Sequence, residues 1–192
     1  VPGGQDTKGE RTRKRLLDAA ATEVARHGVA RASLHAIAAA AELKTGSIYF
    51  HFGSKDELIE AMLEEGLRAT HECLDTAIAS VNEGAGPADR LAAAIRAHAT
   101  AVHELSDYTL VVLSSATPEG GADAFRKLRR DYVERWTVIV TDAQAARVLP
   151  GDVAPRLVRD LIFGALNAVS LAGTPPGRAA EAVQALLRLP KS

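Results

Sequence analysis

The chain has 192 residues, enough for one good-sized domain or a small domain joined to a larger one, and its 47% hydrophobic and 24% charged residues are an ordinary globular balance. The net charge of −1 argues against capture of a polyanion by the whole molecule, but Lys8, Arg11, Arg13, Lys14 and Arg15 are opposed only by Glu10 within 8–15, a local basic cluster suited to phosphate. The lone Cys73 excludes an intramolecular disulfide, no run reaches the roughly 18 apolar residues of a membrane helix, and no leader-like stretch opens the sequence, so the expectation is a cytoplasmic protein.

Apolar residues recur at helical spacing and no stretch alternates with period two, which predicts an all-α protein of about nine helices. Residues 1–9 read as a flexible basic arm, either a phosphate contact or an inert solvated tail. The first helix carries Leu16, Leu17, Ala20 and Val24 on one face and stops at Gly28, where a Schellman turn would bring Val29 against Val24. Ser33 is an N-cap for a short second helix holding Leu34, Ile37, Ala38 and Ala41. A tight turn over Glu42 and Leu43 leads to a third, from about Lys44 to His51. Ser54-Lys55-Asp56-Glu57 is a capping box for a long fourth helix marked by Leu58, Ile59, Met62, Leu63, Leu67, Leu74, Ile78 and Val81.

After the break at 82–87, a fifth helix aligns Leu91, Ile95, His98, Val102 and Leu105. A sixth runs from Asp107 to about Ser115. Thr117-Pro118 resembles an N-cap and first turn, although Gly120-Gly121 delays the seventh helix, whose stripe is Phe125, Leu128, Tyr132, Trp136, Ile139 and Ala143. The eighth spans about Val153–Leu171 and the ninth about Arg178–Leu189. The expected division is arm 1–9, a three-helix domain 10–54 and a larger helical domain 55–192.

A short helix, a tight turn and a second short helix can be packed steeply by Ile37, Ala38, Leu43, Ile48 and Phe52. The second helix then projects polar groups and is of a size to enter the major groove. Thr12–Ala20, Gly28, Ser33, Ile37-Ala38, Ala41 and above all Gly46-Ser47-Ile48-Tyr49-Phe50-His51-Phe52-Gly53-Ser54-Lys55-Asp56-Glu57-Leu58 resemble the DNA-binding domain of the TetR family of transcriptional regulators. The likeness covers 12–58 closely, and the helical remainder agrees in helix number, length and order. It implies a homodimeric repressor, released from a palindromic double-stranded operator by a small-molecule inducer that tilts the fourth helix.

The same likeness implies contacts. Lys44, Thr45 and Ser47 would meet base edges; Tyr49, His51 and Lys55 would meet phosphates; Ser33 would bring its hydroxyl and backbone amides to another. Phe52 reads as core; core is the alternative for Tyr49, whose phenol favours phosphate contact, and for Phe50, to which no contact is assigned. Two positions depart from the family pattern. Glu42 stands where a turn glycine is usual, at a cost of about 1 kcal/mol for positive φ. Lys44 stands where a capping serine is usual, opposing the helix dipole.

The eighth helix is apolar nearly all round. Its Leu161, Gly164, Ala165 and Ala168, with Val183, Leu186 and Leu187 of the ninth, form the expected dimer interface. The resemblance puts a sensor pocket among the fourth, fifth, seventh and eighth helices. His98, Trp136, Phe163, Asn167 and Arg159 are the candidate ligand contacts, each with a packing alternative: core for the histidine and the aromatics, and a pair with Asp160 or a partner's acid for Arg159. Arg126, Lys127, Arg129, Arg130 and Arg135 of the seventh helix are a solvated face or a phosphate patch. The inducer is unidentified, an acyl-coenzyme A or other apolar anion being one candidate. No cofactor, metal or membrane partner is expected.

No HExxH pair, phosphate-cradling glycine loop or base beside Cys73 points to catalysis, so no catalytic residue is expected. A dimeric helical carrier of small molecules that never touches DNA would explain the second half of the chain, but not the pattern at 46–58.

Overall fold

The computed structural model describes residues 7–82, 84–113 and 123–189. Among them every regular element is helical: α1 (Lys8–His27), α2 (Leu34–Ala40), a 3₁₀ helix η1 (Thr45–Phe50), α3 (Lys55–Ala79), α4 (Pro87–Glu104), α5 (Ser106–Leu113), α6 (Asp123–Ala145), α7 (Pro155–Leu171) and α8 (Pro176–Leu186). The expected Thr117-Pro118 cap, the Gly120-Gly121 delay and most of the arm lie outside the described residues. No described helix is long and apolar enough to cross a membrane.

The chain divides into two compact units, one from the described parts of Val1–Gly66 and Asp107–Phe125, the other from those of Leu67–Ser106 and Arg126–Ser192. The boundary expected after residue 54 thus falls twelve residues later, because Leu58, Ile59, Met62 and Leu63 of α3 are buried in the core. In the first unit α5 is tied to α1: the Thr22 hydroxyl bonds Asp107 at 2.6 Å and the Tyr108 hydroxyl donates to Asp18 at 2.8 Å. Burial and the Asp18 carboxylate push the Tyr108 phenol upward in pKa.

Helix ends follow local chemistry. Thr7 caps α1 with a reciprocal box, accepting from the Glu10 amide at 3.2 Å while Glu10 accepts from the Thr7 amide at 2.6 Å. Lys8 and Gly9, read from sequence as arm, are therefore the first turn of α1. Gly28 ends that helix at φ 76°, ψ 159°, outside the left-handed α region of the expected Schellman turn but open to glycine. Schellman bonding instead closes α7 at Gly173, with Thr174 to Val169, and without any glycine it closes α2, α6 and α8: Leu43 to Ala38, Val148 to Ala143 and Leu189 to Gln184. The left-handed residues in these last three are Glu42, Arg147 and Arg188.

In the second unit, α4 packs against α7 and α8. Its alanines at 92, 93, 94, 97, 99 and 101 are all buried, allowing close approach, and Gln184 of α8 donates to the Ala92 carbonyl at 3.1 Å.

Gly66 marks another close approach. A Cβ there would lie 2.5–2.8 Å from three Tyr108 side-chain atoms. Gly66→Ala gains about 1 kcal/mol of helix propensity but overpacks the contact at a cost of about 1–3 kcal/mol. Urea denaturation should show a net loss of stability in Gly66→Ala, against no loss for alanine at Gly46, whose added Cβ meets nothing within 4 Å.

Candidate functional site

Six residues cannot hold a helix in water by themselves, so the 3₁₀ helix depends on its anchors. Ile48 is completely buried and Phe52, just beyond the helix, nearly so. The turn before it is fixed by Arg15, whose guanidinium donates to the Ala41 carbonyl and, at 3.1 Å, to the Glu42 carboxylate. Arg13 lies over the Phe52 ring, 5.1 Å from its centroid. Part of the basic cluster thus braces the turn and the helix rather than standing free as an arm.

The expected third helix, an α-helix to His51, is shorter and tighter. Lys44 stands at its N-cap with no side-chain cap bond, and Ser47→Lys44 and His51→Ile48 amide-to-carbonyl bonds close three-residue turns. Without a capping side chain, and with Gly46 in its first turn, the segment takes the geometry that closes in fewest residues. At three residues per turn, side chains three apart stack in columns.

One column, Thr45, Ile48 and His51, turns inward: Ile48 is buried and the Thr45 hydroxyl lies 3.3 Å from His35 Nδ1. Lys44, Ser47 and Phe50 form an outer column, with both ends exposed and Ser47 half-buried. Gly46 and Tyr49 make the third. Thr45 and Ser47, paired in the sequence reading, fall on different columns, and Phe50, assigned no contact there, is 89% exposed. Tyr49 is 59% exposed.

The flanking residues are partly engaged. The Ser33 hydroxyl accepts from the Ala36 amide at 3.4 Å, and its own amide donates to Glu23 at 3.2 Å, so that amide is not open to a phosphate as expected. Lys55 donates to the Ala30 carbonyl at 3.4 Å, holding its ammonium beside the start of α2. Glu57 completes the capping box one residue further back than expected, accepting from the Gly53 amide at 2.7 Å.

In the second unit, four of the five candidate ligand residues come together with Tyr132. His98 is buried on α4, stacked on Phe163 at 4.6 Å and edge-on to Trp136 at 5.7 Å. Its Nδ1 is 2.9 Å from the Tyr132 hydroxyl and its Nε2 is 3.2 Å from Asn167 Oδ1. Asn167 accepts through Oδ1, so Nε2 carries the proton and the phenol donates to Nδ1. Burial holds the imidazole down to about 4, only partly opposed by the Asn167 bond. Further along α7, the Ser170 hydroxyl is buried without a hydrogen-bond partner among the described residues.

Arg159 does not join them. It donates to Asp160 at 2.7 and 2.9 Å and to the Thr137 hydroxyl at 2.7 Å, the local pairing that was its packing alternative. Tyr132 was visible only as a member of the α6 stripe; its place one turn before Trp136 was the signal. Of the basic α6 residues, Lys127 pairs with Asp131 at 2.7 Å and Arg135 pairs with Asp75.

On α7, Leu161 is 65% exposed, Gly164 and Ala168 are exposed, and on α8 Leu186 is 80% exposed. Ala165 and Leu187 are half-buried. Val183, expected with them, is buried within its own chain.

The sequence profile of the family described as "Bacterial regulatory proteins, tetR family" matches residues 16–62, and that of the "Tetracyclin repressor-like, C-terminal domain" matches 84–180. The HTH-type transcriptional regulator TtgR of Pseudomonas putida is 39% identical over 74 residues, 38% of this chain and 35% of the relative. The HTH-type transcriptional repressor SCO4008 of Streptomyces coelicolor is 43% identical over 56 residues, 29% of each chain. The matches thus span about a third of these relatives' length. Solved structures agree over nearly the whole chain. That of AibR in complex with isovaleryl coenzyme A and operator DNA superposes with a TM-score of 0.77 at 18% identity, covering 94% of this chain and 100% of that one. The ketosteroid transcriptional regulator KstR2 of Mycobacterium tuberculosis gives 0.74 at 21%, covering 98% and 95%.

Two outcomes follow from this geometry. Arg15→Ala should lose about 1–2 kcal/mol in urea denaturation, since it removes a charged donor from the Ala41 carbonyl. Lys14→Ala should lose under about 0.5 kcal/mol, because its 3.4 Å pair with Asp18 is solvated.

His98 makes the fold pH-sensitive. Its folded pKa lies below the unfolded value of 6.5, so the unfolded chain binds the extra proton and stability falls as pH drops from 6.5 toward 4. Between pH 7 and pH 5 this site should cost about 2 kcal/mol, seen as a steeper fall of the urea midpoint in the wild type than in His98→Gln. Parallel falls would place the protonation elsewhere.

Proposed function

The chain belongs to the TetR family of bacterial regulatory proteins, and from that we propose that it is a sequence-specific DNA-binding repressor, working as a homodimer and released from a palindromic operator by a small molecule bound in the second unit. The observation that carries this reading is the anchored 3₁₀ helix. Its inner column is anchored by buried Ile48, and its outer column faces outward with Lys44 and Phe50 exposed and Ser47 half-buried. Tyr49 and Lys55 flank it with a phenol and an ammonium for phosphates; Thr45 and His51, both half-buried on the inner column, would reach DNA from its edge.

Exposed Leu161, Gly164, Ala168 and Leu186 support dimerisation through α7 and α8, four such helices closing around a two-fold axis. Such a pair would present two reading helices to half-sites about 34–36 Å apart or a multiple of that. The His98 cluster supports ligand binding among α4, α6 and α7, with α3 contributing residues to both compact units as the route by which a ligand alters the reading head. The structures of AibR with isovaleryl coenzyme A and of FadR from Bacillus subtilis with stearoyl-CoA keep an acyl-coenzyme A thioester in view as inducer. In this chain the clustered groups are neutral, so the apolar part of such a ligand would face them and its charge would lie elsewhere. Whatever the inducer, it must prefer the conformation that does not fit the operator, since equal affinity would shift nothing.

Selection from random duplexes followed by mobility shift tests the reading. The wild type should enrich an inverted repeat, Lys55→Ala should weaken all sequences alike and lower the salt slope by about 1, and Leu161→Arg should give folded monomers that bind at least tenfold more weakly. A folded dimer that enriches no duplex would be a ligand carrier instead.

A further inference from the structure

We propose that Phe50 is itself a base-reading residue, its ring seated on thymine C5-methyl groups in the major groove. The inference rests on the DNA-binding reading and adds a specificity determinant to it. Three observations carry it. The three-residue turn of the 3₁₀ helix puts Phe50 in line with Lys44 and Ser47, on the outer column rather than the buried one. An α-helical register would have separated these three positions around the helix.

Exposure supplies the second observation. Large apolar side chains around this helix are buried, including Leu16, Leu17, Ile37, Ile48, Phe52 and Leu58, whereas the Phe50 ring is 89% exposed. Among the described residues of its own unit nothing covers this ring, which would lose its contact with water on meeting an apolar partner.

The third is chemical. Phenylalanine has no donor or acceptor, so a phosphate oxygen offers it nothing, whereas the thymine methyl is the apolar feature of the major-groove edge. Its neighbour Tyr49, on the adjacent column, carries the hydroxyl that a phosphate can use. Six residues at about 2.0 Å each separate Lys44 from Phe50 by about 12 Å, so the two ends of the column address different base pairs. Lys44 would meet acceptors of guanine and Phe50 the methyls of an A·T-rich stretch.

The test uses the full chain and the duplex it selects. Replacing single thymines by deoxyuridine removes only the methyl group. Wild-type affinity should fall about three- to tenfold at one or two symmetric positions per half-site. Phe50→Ala, with an unchanged melting temperature, should bind the thymine duplex that much more weakly and bind the thymine and uracil duplexes equally. Equal sensitivity to uracil in the wild type and Phe50→Ala, or no sensitivity in the wild type at any position, would overturn the inference. A weakening in Phe50→Ala without loss of thymine preference would overturn it too, placing the ring on a sugar. If the wild type enriches a duplex and Lys55→Ala weakens it while thymine proves irrelevant, only this inference falls. If no duplex is enriched, the DNA-binding reading falls and takes this with it.

Discussion

The first unit turns on the burial of Ile48. A helix of six residues gains too few backbone hydrogen bonds to offset the entropy of ordering it, so its existence and direction are set by what it packs against. With Ile48 fully enclosed and Phe52 buried just beyond it, rotation about the helix axis is fixed. Which side chains face outward then follows from the turn geometry. Anything that loosened Ile48 would blur the outer column before it unfolded the domain.

The preceding turn is held to the same standard. Glu42 adopts φ 55°, a conformation that costs a non-glycine residue about 1 kcal/mol. Its carboxylate, drawn toward Arg15, helps orient the guanidinium that also bonds the Ala41 carbonyl. A glycine would relax the backbone and forfeit that link between turn and α1. The departure from family pattern thus ties the turn to α1, through an arginine that composition alone would assign to DNA.

Much of this was legible in sequence. The capping box at Ser54, the N-cap at Ser33, the break after residue 81 and the stripe through His98 are signals within one turn, where local chemistry decides the outcome. What could not be read has a common cause. The 3₁₀ register depends on tertiary anchoring, and apolar spacing over six residues fits both helix types. The Schellman ends at Glu42, Arg147 and Arg188 lacked the glycine by which such ends are recognised, although Leu43, Val148 and Leu189 supplied their apolar following residue. The approach of Gly66 to Tyr108 joins positions 42 residues apart, beyond any periodicity. Four of the five candidate ligand residues do cluster; Arg159 shares the i, i+4 row of Phe163 and Asn167 on α7, but its guanidinium is taken by Asp160 and the Thr137 hydroxyl.

The core of the second unit is costly to keep. Alanine and leucine could fill the space between α4, α6 and α7 without polar atoms, yet it holds an imidazole kept neutral by burial, with a phenol and an amide bonded to it. Each such group left unsatisfied would cost about 1–3 kcal/mol, a large part of what a marginally stable domain retains, so the bonds from His98 to Tyr132 and Asn167 are what make this polar core tolerable.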